Sequence, residues 1–335
     1  MENSDRRVVL GLSGGVDSAV AARLLQRAGY EVFGLYLDAG DPSARADAIA
    51  TAEFLGVDLS VRDIREMLER QVCAPFAEAY LRGETPNPCV RCNPLVKFKS
   101  LIDRADELGA VHIATGHYAR ARDGMILRGM PSNDQSYMLC RLTREQARRL
   151  LLPLGEYEKP RVRELAAEFG IPVARKPDSM EICFIPDRDY AGWLAARGTV
   201  PGPGPILFNG AVIGRHEGIH RWTVGQRLPG LYDGRKLYVA EIRPDESALV
   251  AALWDDLFHT EVRIREASWL IDPPDAPIRG SVRVRHTKWE NPECTIFPEG
   301  SGARIVADSP VRAPARGQAA ALYQGDRLIG GGWIA

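Results

Sequence analysis

Two groups of residues in this 335-residue chain have types and spacings that could do chemistry. The first is sulfur. Cys89 and Cys92 sit in Asn87-Pro88-Cys89-Val90-Arg91-Cys92-Asn93, and Cys183 follows far along, in the apolar run Glu181-Ile182-Cys183-Phe184-Ile185. Three readings compete. Cys183 can be an inert core residue, the Cys-x-x-Cys pair can be half a zinc site, or the thiols can be reactive. No second close Cys or His pair completes a zinc site. Thiols beside a helix N-terminus have depressed pKa values, and Arg91 and Lys97 would favour thiolate further. The second group is a glycine turn. Val8-Val9-Leu10 is an apolar run suited to a buried parallel strand, Ser13-Gly14-Gly15 breaks it, and a helix over 17–28 follows. Glycines let backbone approach a ligand closely, and amide N–H groups at a turn and helix start suit an anion. The spacing is neither Gly-x-x-x-x-Gly-Lys-Ser/Thr nor Gly-x-Gly-x-x-Gly, and no lysine follows.

These residues need a scaffold, and the pattern supplies one. Strands over 31–37, 57–61 and 111–114 alternate with helices over 44–55, 65–82 (interrupted at Pro75) and 95–108. That rhythm predicts an α/β, doubly wound parallel sheet, with ligands beyond the carboxyl ends of its strands. Two short basic helices fit Arg141 to Arg163, and residues 198–205 read as a linker. Short alternating runs over 237–242, 249–252, 261–269, 281–285 and 303–307, and a hairpin 319–322/328–334, predict an all-β C-terminal region closing as a small barrel. The pattern divides the chain into an α/β unit 1–192, a small central linker unit 193–258 and a barrel 259–335. Hydrophobic content of 45% and charged content of 26% describe an ordinary globular protein. No apolar run approaches a membrane span, and residues 1–7 are too polar and short for a signal peptide, so we expect a cytoplasmic protein without a membrane partner. A net charge of −1 leaves any polyanion partner to local patches. Six cysteines in a reducing compartment point to free thiols, metal or redox chemistry.

Ser13-Gly14-Gly15-Val16-Asp17-Ser18 after an N-terminal strand resembles the PP-loop of the ATP pyrophosphatases, whose fold is adenine nucleotide alpha hydrolase-like. Those enzymes hold pyrophosphate in this turn and activate a carbonyl oxygen by adenylation. Other motifs follow in order: Thr85-Pro86-Asn87-Pro88, Cys92-Asn93, Lys97-Phe98-Lys99, Ala114-Thr115-Gly116-His117-Tyr118-Ala119-Arg120 and Asp134-Gln135-Ser136-Tyr137. Then come Ile182-Cys183-Phe184-Ile185, Thr223-Val224-Gly225-Gln226-Arg227, Gly317-Gln318 and Gly330-Gly331-Gly332. With these the chain resembles, from end to end, the tRNA-specific 2-thiouridylases.

The resemblance implies ATP-dependent 2-thiolation of the wobble uridine of tRNA. ATP adenylates uridine O2, and a persulfide on the later cysteine delivers sulfur to C2. Carried over, Cys183 bears the persulfide and Cys92 is the partner thiol that releases sulfur through a transient disulfide. Gly11, Leu12, Ser13, Gly14, Gly15, Val16, Asp17, Ser18, Leu37 and Gly116 hold ATP, with Mg²⁺ offsetting phosphate charge. Asn87, Pro88 and Cys89 face the flipped-out base. His117, Asn133, Asp134, Gln135, Arg283, Val284 and Gln318 touch tRNA. The implied sulfur donor is a sulfur-relay protein, a cysteine desulfurase or sulfide.

Departures from the family pattern matter at three places. Cys89 stands where the pattern has an aspartate that assists proton transfer. Cys89, Cys92 and Cys183 thereby offer the soft ligands that an exposed [4Fe–4S] cluster with one open iron would need, as in some related thiolation enzymes, so the expectation for this chain is sulfide carried on such a cluster in place of the Cys183 persulfide. After strand two, Asp38-Ala39-Gly40-Asp41-Pro42 is short, with Leu37 where methionine is common, and Arg283-Val284 replaces an Arg-Tyr pair. From the residues themselves, Arg283 and Arg285 share one side of a strand, as do Arg263 and Arg265. With Arg141, Arg144, Arg148, Arg149, Lys159, Arg161 and Arg163 they could form a basic RNA-facing surface. The alternatives are another PP-loop enzyme, amidating or thiolating a different substrate, and a non-catalytic zinc-containing RNA-binding protein.

Overall fold

The computed structural model describes residues 6–172, 182–185, 189–285 and 291–335; Glu181 of the expected apolar run lies outside them. In the N-terminal unit β1 (Arg7–Gly11), α1 (Val16–Arg27), β2 (Glu31–Asp38), α2 (Pro42–Leu55) and β3 (Asp58–Asp63) follow in turn. Helical segments α3 (Arg65–Leu68), α4 (Ala74–Leu81), α5 (Pro88–Cys92) and α6 (Phe98–Glu107) lead to β4 (His112–Ala114). A hairpin, β5 (Ala119–Arg122) and β6 (Met125–Arg128), precedes α7 (Arg144–Arg149), β7 (Leu150–Leu151), α8 (Lys159–Glu168) and α9 (Tyr190–Ala195). The parallel sheet has the order β3-β2-β1-β4-β7. Val8, Val9 and Leu10 are fully buried because both faces of the sheet are covered. Val8 and Leu10 pack with Val20 and Leu25 of α1 and Val162 and Leu165 of α8. Val9 points the other way, to Phe98, Leu101 and Ala105 of α6.

Pro75 does not break its helix as the sequence suggests. A π turn over Glu69–Cys73 lets α3 run on into α4, with the Ala74 N–H donating to Glu69 O. The same device recurs at Pro94, where Asn93–Lys97 form a π turn between α5 and α6. The helix expected over 95–108 therefore begins earlier, and Cys89 and Cys92 lie within it rather than in a loop before it.

A central sheet holds β8 (Gly204–Phe208), β9 (Ala211–His216), β10 (Tyr238–Arg243) and β11 (Ala248–Ala252) in the order β10-β11-β8-β9. Its core includes Ile206, Phe208, Val239 and Leu249. The last strands are β12 (Phe258–Trp269), β13 (Ile278–Arg283), β14 (Glu293–Glu299), β15 (Gly302–Arg312), β16 (Ala319–Gln324) and β17 (Arg327–Ile334). They pair in the ring β12-β15-β14-β13-β16-β17, and β12 returns to β17 to close a barrel. The β5–β6 hairpin of the N-terminal unit adds to the outside of β17, pairing Ile126 with Leu328. α9 stacks Tyr190 on Tyr80 and sets Trp193 against Phe76, so it straddles the expected domain edge at 192 while packing on the N-terminal unit. No helix among the described residues is long and apolar enough to cross a membrane.

Candidate active site

The glycine turn joins β1 to α1 at the carboxyl end of the sheet. Gly15 is the N-cap of α1 and offers no side-chain cap, so the first helical amides keep their donors for another acceptor. Inside the turn the Ser13 N–H donates to Ser18 Oγ at 3.2 Å, and Ser18 Oγ donates to Gly15 O at 3.0 Å. Gly14 is required twice over. Its φ is +73°, and a Cβ would lie 2.6 Å from the Ala48 nitrogen of α2. Gly116, just past β4, lies against Asp17, where a Cβ would stand 3.1 Å from the Asp17 carbonyl carbon. The Asp17 carboxylate accepts from the Tyr118 hydroxyl at 2.7 Å and from Lys159 Nζ at 2.7 and 2.8 Å. Sequence reasoning counted Lys159 only as one charge of a basic helix; nothing local could tie it to a turn 142 residues away.

The thiols gather on the neighbouring wall. The Thr85 N–H donates to Arg316 O at 2.7 Å, fastening the approach to α5 onto the barrel side of the molecule. Asn87 caps α5 by accepting from the Val90 N–H at 3.2 Å, so its side chain does structural work. Asn93 donates to Met138 O at 2.7 Å, and Gln146 donates to Pro94 O at 2.8 Å, a carbonyl within the π turn. Cys92 joins an apolar cluster with Cys73, Val96, Leu37, Phe184 and Trp193, which brings the Cys183 segment to it. Cys89 and Cys183 expose surface, yet desolvation is the largest influence on both thiols, so they line a concavity. Cys92 feels Cys183 and Cys89, and Cys183 feels Cys89. The structure thus brings together three thiols that the sequence spreads over 95 positions.

Their expected acidity is corrected. Burial pushes Cys92 up to about 11, and Cys89 and Cys183 also rise, with burial the leading cause. Lys97 lowers all of them but does not outweigh desolvation. Arg91 takes no part, because its Nε donates to Gln71 O at 2.6 Å. His117 is held by Thr115 Oγ1 at 2.8 Å from Nδ1 and stacks on Phe98. Burial first, and Lys97 second, put its pKa well below the ordinary value, so the imidazole is neutral at pH 7. The two halves of the site are contiguous. Gly116 touches Asp17, the adjacent His117 touches Phe98 beside Lys97, and Leu37, at the end of β2, packs into the cluster of Cys92.

The expected tRNA contacts divide. Asp134 and Arg283 form an ion pair at 2.8 Å with side chains only 8% and 11% exposed. Asp134 also accepts from the N–H groups of Gly129 and Ser136 and from the Ser136 hydroxyl. Val284 is buried, Gln135 exchanges hydrogen bonds with the Tyr118 backbone, and Gln318 lies by the Tyr137 hydroxyl. The Asn133 amide nitrogen is buried without a partner among the described residues. Arg285 donates to Val224 O and Ala313 O. These strand arginines clasp domains together instead of forming an open basic face. Others of the expected patch are matched by acids: Arg141 with Glu266, Arg161 with Glu168, Arg263 with Glu261 and Arg265 with Glu84. Among the described residues no group of three His, Cys, Asp or Glu side chains is placed to hold a metal ion.

Comparison with known proteins follows this geometry. The family described as tRNA methyl transferase HUP domain matches residues 6–187, its PRC-barrel domain matches 196–252, and the aminomethyltransferase beta-barrel domain matches 259–334. The chain is 40% identical to the tRNA-specific 2-thiouridylase MnmA of Chlorobium luteolum, over 100% of this chain and 97% of the relative. It is 39% identical to that of Syntrophotalea carbinolica, over 100% of both. Among solved structures, a 4-thiouridine synthetase in complex with RNA and ATP is similar over 51% of this chain and 42% of its own, at 21% identity and a TM-score of 0.37. Matched along its whole length on both sides, the chain belongs to the tRNA-specific 2-thiouridylase family.

Proposed function

We propose that the chain is a tRNA-uridine 2-sulfurtransferase that works in two steps within one cavity. ATP, as its Mg²⁺ complex, lies with its phosphates on the turn 11–18 and its adenine near Leu37 and Gly116. An anticodon uridine enters past Asn87, Pro88 and Cys89, beside His117. Uridine O2 bonds to the α-phosphorus, and the α–β bridging bond breaks with its electron pair leaving on pyrophosphate. This turns O2 from a poor leaving group into a good one. The terminal sulfur of a Cys183 persulfide then bonds to C2, and the C2–O bond breaks to release AMP. Cys92 sulfur attacks Cys183 Sγ, forming a Cys92–Cys183 disulfide and leaving thiocarbonyl sulfur on the base. An external reductant restores both thiols. A neutral His117 can accept a hydrogen bond or a proton in this setting, the role an acid at position 89 would otherwise share. Asp134, Arg283, Val284 and Gln318 act behind the site, holding the 133–139 segment to the barrel.

The observation that carries this reading is the convergence of Cys92 and Cys183 on the wall that Leu37 shares with the glycine turn. Cys89, Cys92 and Cys183 are mutual neighbours and offer three soft ligands, so they would also fit a [4Fe–4S] cluster, which would supply sulfide in place of the persulfide. No step is routed through iron. The test is reaction of anaerobically purified protein with ATP, a sulfide or persulfide donor and unmodified tRNA, followed by nucleoside mass spectrometry. Cys92→Ala and Cys183→Ala should abolish 2-thiouridine, while Cys89→Ala should slow it. Stoichiometric iron that activity requires would refute the persulfide route, and ATP turnover indifferent to tRNA would refute the substrate.

A further inference from the structure

The turn 11–18 contains no cation, whereas the ligand proposed for it is a polyanion. The fold places a cation there from elsewhere. Lys159, the first residue of α8, reaches across to the first turn of α1 and puts its ammonium 2.7 and 2.8 Å from the two oxygens of Asp17. The pair is half-withdrawn from water, with side chains 24% and 32% exposed, and Lys159 also stands over the Tyr118 ring at 5.5 Å. Among the described residues, three elements hold the ammonium at the glycine turn: Asp17 from α1, Tyr118 from the segment after β4, and the start of α8. An isolated carboxylate at this position would repel the phosphates that the turn amides attract. Pairing it with an ammonium removes that repulsion and leaves a donor-rich cation within a side-chain length of the phosphates.

We infer that Lys159 is the phosphate-binding lysine of this site. In the ligand-free chain it is parked on Asp17; with ATP bound it exchanges one carboxylate contact for a β- or γ-phosphate oxygen and keeps the other. It thereby stabilises the negative charge that gathers on pyrophosphate as the α–β bond breaks. A lysine suits this exchange, being a compact point charge on a flexible stem. The inference rests on the reading that the turn holds ATP, and it adds a specificity consequence. Lys159 recognises the β,γ end of the nucleotide, so its loss penalises ATP and pyrophosphate and spares AMP.

The test is equilibrium binding of ATP, AMP and inorganic pyrophosphate to the full chain by calorimetry. Lys159→Gln should weaken ATP and pyrophosphate by roughly ten- to a hundredfold, the range of a hydrogen bond to a charged group, and leave AMP within about twofold. Lys159→Arg should recover most of the ATP affinity. The double variant Asp17→Asn/Lys159→Gln separates phosphate contact from mere neutralisation of Asp17. It should stay weak for ATP; full recovery would overturn the inference, as would an equal loss of ATP and AMP in Lys159→Gln. A Gly14→Ala chain that binds ATP as the parent does would instead overturn the reading of the turn itself.

Discussion

The chemistry of the thiol cavity makes a quantitative demand on pH. Burial favours the neutral thiol, so Cys92 should remain protonated until the pH approaches about 11. An unperturbed cysteine titrates near about 8.5. At pH 8 the thiolate fraction should then be about one in a thousand for Cys92, against about one in four for a free peptide thiol. Burial sets this value first; Lys97 pulls the pKa down, and Cys183 and Cys89 push it further up. The assay is alkylation of Cys92 in the ATP-free chain by iodoacetamide, followed by peptide mass spectrometry from pH 6 to 11. Because accessibility scales the absolute rate, the midpoint of the profile is the readout. The rate should climb about tenfold per pH unit through pH 9 and 10 without a plateau. Lys97→Gln should push the midpoint higher still, since it removes the cation that offsets burial. A plateau below pH 9 would refute the reasoning, as would a downward shift in Lys97→Gln. The functional corollary is that the resting thiols are poor nucleophiles. Loading sulfur onto Cys183 creates a more acidic persulfide and hence the anion that the bare thiol withholds.

Other outcomes follow from the same structure. Gly14→Ala forces a Cβ against the Ala48 backbone at positive φ, which should cost on the order of 1–3 kcal/mol and abolish ATP binding, read by thermal unfolding and calorimetry. Arg283→Met strands the buried Asp134 carboxylate and should destabilise by about 3–5 kcal/mol, measured as an early unfolding transition; Asp134→Asn/Arg283→Met should lose less. Binding of tRNA should weaken as ionic strength rises, but with a shallow slope because so many arginines are already paired with acids. A steep slope in filter-binding titrations would show an uncompensated basic face that the ion pairs do not suggest.

Much of this architecture is written locally. Val8-Val9-Leu10, the glycine turn and the helix beyond it could be read directly because strand period, glycine placement and amphipathic spacing all act over a few residues. β15 announced itself by alternation for the same reason, whereas β16 and β17 are buried nearly throughout and were legible as two apolar runs around Gln324-Gly325-Asp326. What could not be read depends on distant partners. The hairpin at 119–128 has strands of only four residues each, and it is stabilised by adding to β17 some 200 residues later. Arg283 looked exposed on its strand because strand period says which residues share a side, not what that side meets; it meets Asp134. The prolines misled in one direction only. Pro75 was read as an interruption of its helix, and the next helix was begun only after Pro94, whereas a widened turn absorbs each proline.

That absorption bears on mechanism. A break at Pro94 would have left Cys89 and Cys92 on a loop, free to swing toward a donor. Instead, α5, the π turn and α6 run on without interruption, and α6 is the helix that packs Phe98, Leu101 and Ala105 against β1. The strand that ends in the ATP-facing turn and the helix that begins with the thiols are therefore parts of one packed body. Any displacement of Cys92 relative to the turn must disturb a core whose residues are fully buried, and such cores resist gradual deformation. Cys183 meets this body through its neighbours Phe184 and Ile185, which pack with Phe76, Leu194 and Trp193 rather than against the sheet.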